Sequence, residues 1–182
     1  MLLAAALVLA LSPVRAQDIV LRQSGAGEVR FIGRSFGLPI VSGRFEHIDC
    51  AVSVDLLKPE GSKIAVGIAT GSLRSLIGVA DGLVKGPLLL DSERHPQMSF
   101  VSRSVRRISD GHFRIDGLLT VKGITRPISL QAVIEGDLAR AGTGQAFPFT
   151  ATTSISRAAF DIGRDITLID DRLEISVSGQ LS

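Results

Sequence analysis

Tryptophan and tyrosine are absent from the 182 residues, and eight phenylalanines supply every aromatic ring. That absence removes the mixed stacking platforms on which single-stranded nucleic acid is usually laid. Cys50 is the sole cysteine, which excludes an internal disulfide and a cysteine-based metal site. Neither charge is in excess: 20 Lys and Arg face 18 Asp and Glu, so the basic balance says little about nucleic acid as a partner. Long apolar runs are also missing. The longest, Leu2 to Leu11, is too short to span a bilayer as a helix and leads into Ser12-Pro13-Val14-Arg15-Ala16. Small residues at Val14 and Ala16 fit an export signal over residues 1–16, cut after Ala16; an uncleaved anchor or a frayed apolar tail is the alternative. A cleaved signal implies a periplasmic or secreted protein. It leaves residues 17–182 as one domain, long enough for a sizeable core.

Catalytic words are missing too. There is no nucleophile elbow, phosphate-binding glycine loop, zinc-protease helix or dinucleotide fingerprint. His47, His95 and His112 lie far apart, and none has a neighbour at metal-ligand spacing. No metal and no catalytic residue is assigned, and the chain reads as a non-enzyme. No cofactor is expected beyond a non-covalent lipid.

What is present is period-two alternation, the mark of strands with one buried face. Val29 and Phe31 share a face. Ile48, Cys50, Val52 and Val54 do likewise, followed by Ile64, Val66 and Ile68. Met98 and Phe100 open a strand whose pattern slips near Ser102, a sign of a bulge. Phe113 to Val121, Ile128 to Ile134, Phe147 to Ile155 and Leu173 to Val177 complete about eight strands. Asp110-Gly111 predicts a type I′ hairpin. Between Leu73 and Leu90 the spacing of Leu76, Val79, Ala80, Leu83 and Val84 predicts one short helix in an irregular crossing, weakened by Gly78, Gly82, Gly86 and Pro87. Antiparallel strands with one apolar face make a sandwich or a closed barrel. The long strands and single helix favour an all-β, antiparallel closed barrel.

Specific words then appear. His95-Pro96-Gln97-Met98-Ser99-Phe100 is followed by Gly117-Leu118-Leu119-Thr120-Val121-Lys122-Gly123-Ile124-Thr125-Arg126-Pro127, and later by Ser154-Ile155-Ser156-Arg157-Ala158-Ala159-Phe160. Upstream stands Val41-Ser42-Gly43-Arg44-Phe45. Over nearly the whole of 17–182 this resembles the YceI-like family of polyisoprenoid-binding proteins. The resemblance implies a lipocalin-like barrel, a bacterial periplasmic location and an isoprenoid chain threaded through the interior. It departs from the family at Ser75 to Gly82, where a charged string is usual, which bears on how a ligand gets in.

The expected partner is therefore an isoprenoid or other long-chain lipid. Nucleic acid is not a partner, transient contact with a membrane surface is allowed, and the oligomeric state stays open, a dimer included. Val29, Phe31, Val66, Ile68, Phe100, Ile115, Leu119, Phe149, Ile155 and Ile175 are the candidate lining, with core filling as the bland alternative. Arg157 is either a cation for an anionic headgroup or a structural arginine capping carbonyls or pairing with Asp161. Gly43 and Gly123 are expected in conformations that other residues resist, and Thr120 and Thr125 to bond the turn between them. The rival reading is an accessory protein or enzyme acting on a lipid or quinone, for which Cys50, Ser102 and Thr153 are the inward polar candidates. A purely structural secreted module is the third reading.

Overall fold

The structure, a computed structural model, describes residues 20–75 and 81–182. The export signal, and Leu76, Val79 and Ala80 of the expected helix, lie outside the described residues.

Among the described residues, ten strands form one antiparallel sheet that closes on itself. They are β1 (Val20–Ser35), β2 (Leu38–Phe45), β3 (Ile48–Asp55), β4 (Lys63–Ala69), β5 (Leu73–Ser75), β6 (Gln97–Ser109), β7 (His112–Val121), β8 (Ile124–Ile134), β9 (Phe147–Ser156) and β10 (Arg172–Leu181). β1 pairs with β2 through Val29–Ser35 and with β3 through Val20–Arg22, in nearly the same register. β2 and β3 are thus one strand broken near Glu46. β5 and β4 continue each other in the same way opposite them. The ring therefore has eight staves, and β10 pairing with β1 removes the open edge. Leu73 to Ser75 belongs to the barrel and not to the crossing. A three-residue strand is too short to show a period.

The crossing keeps a short helix, α1 (Asp81–Lys85). Val84 points into the core while Leu83 is exposed. Gly86 and Pro87 follow at once, and neither favours another helical turn.

Three expectations are corrected at the turns and at Gly43. The type I′ geometry, with positive φ at both central residues, falls at Lys122-Gly123 (50° and 73°) and at Phe36-Gly37 (48° and 81°). At Asp110-Gly111 only Gly111 is positive (69°), and a register shift between Arg107 and Ser109 supplies the remaining bend. Gly43 has ordinary backbone angles. Its requirement is room, since a Cβ there would lie 2.6 Å from the Arg74 carbonyl oxygen and 2.8 Å from the Phe31 ring. Thr120 and Thr125 bond each other (2.9 Å) and not the turn. The bulge expected in β6 is present between Ser102 and Ser104, and it turns Val105 inward.

Gly117, in the middle of β7, faces the ring of Phe100. A Cβ there would stand 2.5 Å from both Phe100 Cζ and the Val101 carbonyl oxygen. Gly117→Ala is expected to cost about 1–3 kcal/mol, because neither the ring nor the paired backbone can withdraw freely. A urea titration measures it, and a loss under half a kcal/mol would show that the barrel wall yields there.

Candidate functional site

Inward-facing side chains from all eight staves surround an apolar cavity of about 200 Å³. All ten apolar lining candidates stand on its wall, and so does Arg157. Phe31 and Phe45 meet at 6.0 Å between ring centres, tilted by 45°. The interior therefore contains connected space, although it falls below the roughly 300–1,000 Å³ of a drug-sized ligand pocket.

Most wall residues that sequence reasoning missed come from two sources. Val41 and Phe45 lie on β2, where Gly43 interrupts the apolar alternation. Val84, Leu89, Leu90, Ile162 and Ile169 come from connecting segments without a period.

Those connectors close one end of the barrel. The 157–171 segment joins β9 to β10 and bonds the crossing through Gly163 N–H to the Leu88 carbonyl (2.8 Å). Arg157 organises this segment. It is 5 % exposed, and each of its five N–H groups donates to a backbone carbonyl. Nε reaches Asp170 (2.9 Å), Nη1 reaches Ile162 and Gly163 (2.8 Å each), and Nη2 reaches Ile166 (3.1 Å) and Ile169 (2.6 Å). Of the two readings of Arg157, the geometry is that of the carbonyl-capping arginine. A planar guanidinium offers five donors, so none is left over for a headgroup. Asp161 pairs instead with Lys122 (3.6 Å) and Arg164 (3.6 Å). The far end is packed by Leu21, Val105, Phe113, Phe147 and Leu181, all nearly or fully buried.

The polar groups named for an enzyme are committed to structure. Cys50 lines the cavity, and burial pushes its thiol pKa up, with the Asp49 charge adding to the rise against a hydrogen bond from Gln23. A protonated thiol in an apolar wall is a poor nucleophile. Thr153 Oγ1 donates to the Ser129 carbonyl (2.8 Å), and Ser102 Oγ accepts from the Ile64 N–H (3.0 Å) at the bulge.

Three arginines of the β6–β7 hairpin, Arg106, Arg107 and Arg114, are also engaged. Arg106 and Arg114 bind Asp116 (2.8 and 3.0 Å), while Arg107 lies 5.6 Å over the Phe113 ring and donates to the Leu56 carbonyl. Asp116 also accepts from Ser129. That hydroxyl first, then the two guanidinium groups, hold its carboxyl well below the usual carboxylate range. A lowered folded-state pKa means the stabilisation is whole above the ordinary value of 3.8 and disappears as pH falls through the folded value. Asp116→Asn is therefore expected to be less stable than the parent at pH 7, with the gap closing below pH ~4. Paired thermal melts across that range check it, and a gap constant with pH would place the loss elsewhere.

Comparison with known proteins agrees with this architecture. A family model described as the YceI-like domain matches residues 23–181. A UPF0312 protein of Pseudomonas putida is 34 % identical over 144 residues, covering 79 % of this chain and 75 % of its own. Among solved structures, Burkholderia cenocepacia BcnA superposes with a TM-score of 0.76 at 20 % identity, over 86 % of this chain and 96 % of that one. A polyisoprenoid binding domain from Saccharophagus degradans superposes with a TM-score of 0.61 at 10 % identity, over 90 % and 98 %.

Proposed function

The chain belongs to the YceI-like domain family, and from that premise we propose that it is a binding protein which holds an isoprenoid or other long-chain lipid inside the barrel. The observation that carries this reading is the cavity wall: apolar side chains from every stave enclose connected space. A hydrocarbon tail entering it gains roughly 0.8 kcal/mol per buried methylene before ordering costs, with no need for polar recognition. The Saccharophagus degradans neighbour, described as a polyisoprenoid binding domain, makes an isoprenoid the first ligand to try. At about 200 Å³ the space takes a slender chain in part, and a longer one requires side chains such as Phe31 and Phe100 to turn aside.

We further propose a periplasmic or secreted location, in keeping with the apolar segment ahead of Ser12-Pro13. Catalysis on a lipid or quinone is the weaker reading, because Cys50, Ser102 and Thr153 form no acid–base pair. Organic extraction of protein purified from a bacterial host, followed by mass spectrometry, tests the proposal. A stoichiometric prenyl lipid is the expected result. Protein that carries nothing, and takes up no prenyl alcohol from detergent, would end it.

A further inference from the structure

The barrel wall is not equally sewn all the way round. β8 pairs with β7 at ten positions and β9 with β10 at ten, yet β8 and β9 pair at four, Gln131 to Ile134 against Phe149 to Thr152. Beyond Gln131 the two strands part. Ile124 to Leu130 keep their β7 partners, and Thr153 to Ser156 keep their β10 partners, with no ladder between them. Among the described residues one side-chain bond, Thr153 Oγ1 to the Ser129 carbonyl, spans the opening.

That carbonyl points toward β9. Backbone groups alternate sides along a strand, so Pro127, two residues earlier, faces the same way. Proline has no N–H, and the ladder cannot be resumed through it. The short turn of Ala158–Phe160 packs against β8 near this opening.

A groove of about 1100 Å³ lies outside this seam. Ile128, Thr153, Ile155 and Ile175 line both the groove and the inner cavity, so the wall between them is one side chain thick. Both ends of the cavity are covered. The connectors and Arg157 cover one end, and the fully buried Leu21, Phe147 and Leu181 cover the other. The groove also carries unbalanced positive charge. Its two acids are engaged by arginines beyond it, Asp116 with Arg106 and Arg114, and Glu174 with Arg34 (3.0 Å). Arg103 and Arg126, both exposed on its rim, make no ion pair among the described residues, and Arg172 stands beside them.

We propose that the β8–β9 seam is a side door of the barrel: the lipid's tail passes between the strands into the cavity, and an anionic head of phosphate type rests in the outer groove on Arg103, Arg126 and Arg172. This rests on the carrier reading above and adds the route and the chemistry of the head. Four backbone-paired residues and one hydroxyl are little to part. Opening the far end would mean unpacking Leu21, Phe147 and Leu181, among the most buried side chains of the molecule, and opening the other would break the hydrogen bonds of Arg157. A phosphate supplies the acceptor oxygens that guanidinium groups match.

Two measurements test it, using geranylgeranyl monophosphate and geranylgeraniol, which share one tail. The parent protein is expected to bind the phosphate about tenfold more tightly at low salt, and Arg103→Gln with Arg126→Gln to remove that preference while leaving the alcohol's affinity unchanged. Inorganic phosphate alone is expected to weaken the preference without displacing the alcohol. If it binds the groove equally well in the double variant, or if the preference survives the substitutions, the headgroup site is wrong. For the door, Ser129→Cys and Ser154→Cys are introduced with Cys50→Ala and joined by a cleavable linker that is thiol-reactive at both ends. The linked protein is expected to load and release geranylgeraniol at least tenfold more slowly than the same protein after cleavage. Equal rates would send the tail through an end and overturn the door. Failure of the unlinked parent to bind either lipid would instead sink the carrier reading, and the door with it.

Discussion

Replacing Arg157 with methionine is expected to cost about 3–5 kcal/mol of folding stability, the largest loss of any single substitution outside the apolar core. Five carbonyls accept from this one guanidinium, and they belong to a stretch, Ile162 to Asp170, that has neither helix nor strand to satisfy them. Methionine fills the volume of the stem but donates nothing, so buried acceptors are left without partners. Relief of the arginine's own desolvation returns part of the loss. Lysine is not a substitute, because three donors on a point charge cannot reach a fan of five oxygens. Urea unfolding gives the total, and hydrogen exchange at residues 162–170 gives its location. Fast exchange confined to that segment is expected. A variant within 1 kcal/mol of the parent would show that the end cap holds itself together.

Filling the cavity is expected to have the largest effect on binding. Ala151 is buried on β9, faces the cavity, and lies opposite Ala132 on β8 and Val177 on β10. Ala151→Phe places a ring in the space that the tail would occupy. Excluding as few as two methylenes at roughly 0.8 kcal/mol each lowers affinity more than tenfold. Stability should stay within about 1–3 kcal/mol of the parent, since the ring enters a void and not a packed wall. Thr150→Phe, one residue away and on the outer face, is the control and is expected to leave uptake of geranylgeraniol unchanged. Equal uptake by both variants would mean that the tail does not lie beside Ala151.

The two substitutions probe different parts of one arrangement. Arg157 keeps an end of the barrel shut, and Ala151 keeps its middle open. A carrier of apolar lipid needs both, because an open end would flood the cavity with water and a filled centre would leave no room for a tail. The outer surface near that shut end adds a related feature. Phe36 is 96 % exposed at the tip of the β1–β2 hairpin, and its backbone N–H donates to Asp170 Oδ1 (3.3 Å) in the segment that Arg157 holds. Leu38 in the same hairpin and Leu168 in the 157–171 segment are exposed as well. The parted half of the β8–β9 seam runs toward this same end.

The sequence by itself determined the staves and the sense of their faces. Alternation is a property of neighbouring residues, so Phe113, Ile115, Leu119 and Val121 announce an inward face without any knowledge of what lies opposite. The motif words around His95-Pro96, Gly117 to Pro127 and Ser154 to Phe160 added the family, and every apolar lining candidate is found on the cavity wall. Three things were decided only in three dimensions. The role of Arg157 depends on carbonyls up to 13 residues away in an irregular segment, and no period reports where those oxygens point. The need for glycine at 43 and 117 comes from a ring across the strand, which a one-dimensional pattern does not contain. The parted seam arises where two alternating strands, each well formed against its other neighbour, fail to meet. Hydrophobic pattern specifies which way a strand faces, but hydrogen-bond closure between strands is set by how the whole ring is drawn together, and Pro127 shows its effect only once its open side is known.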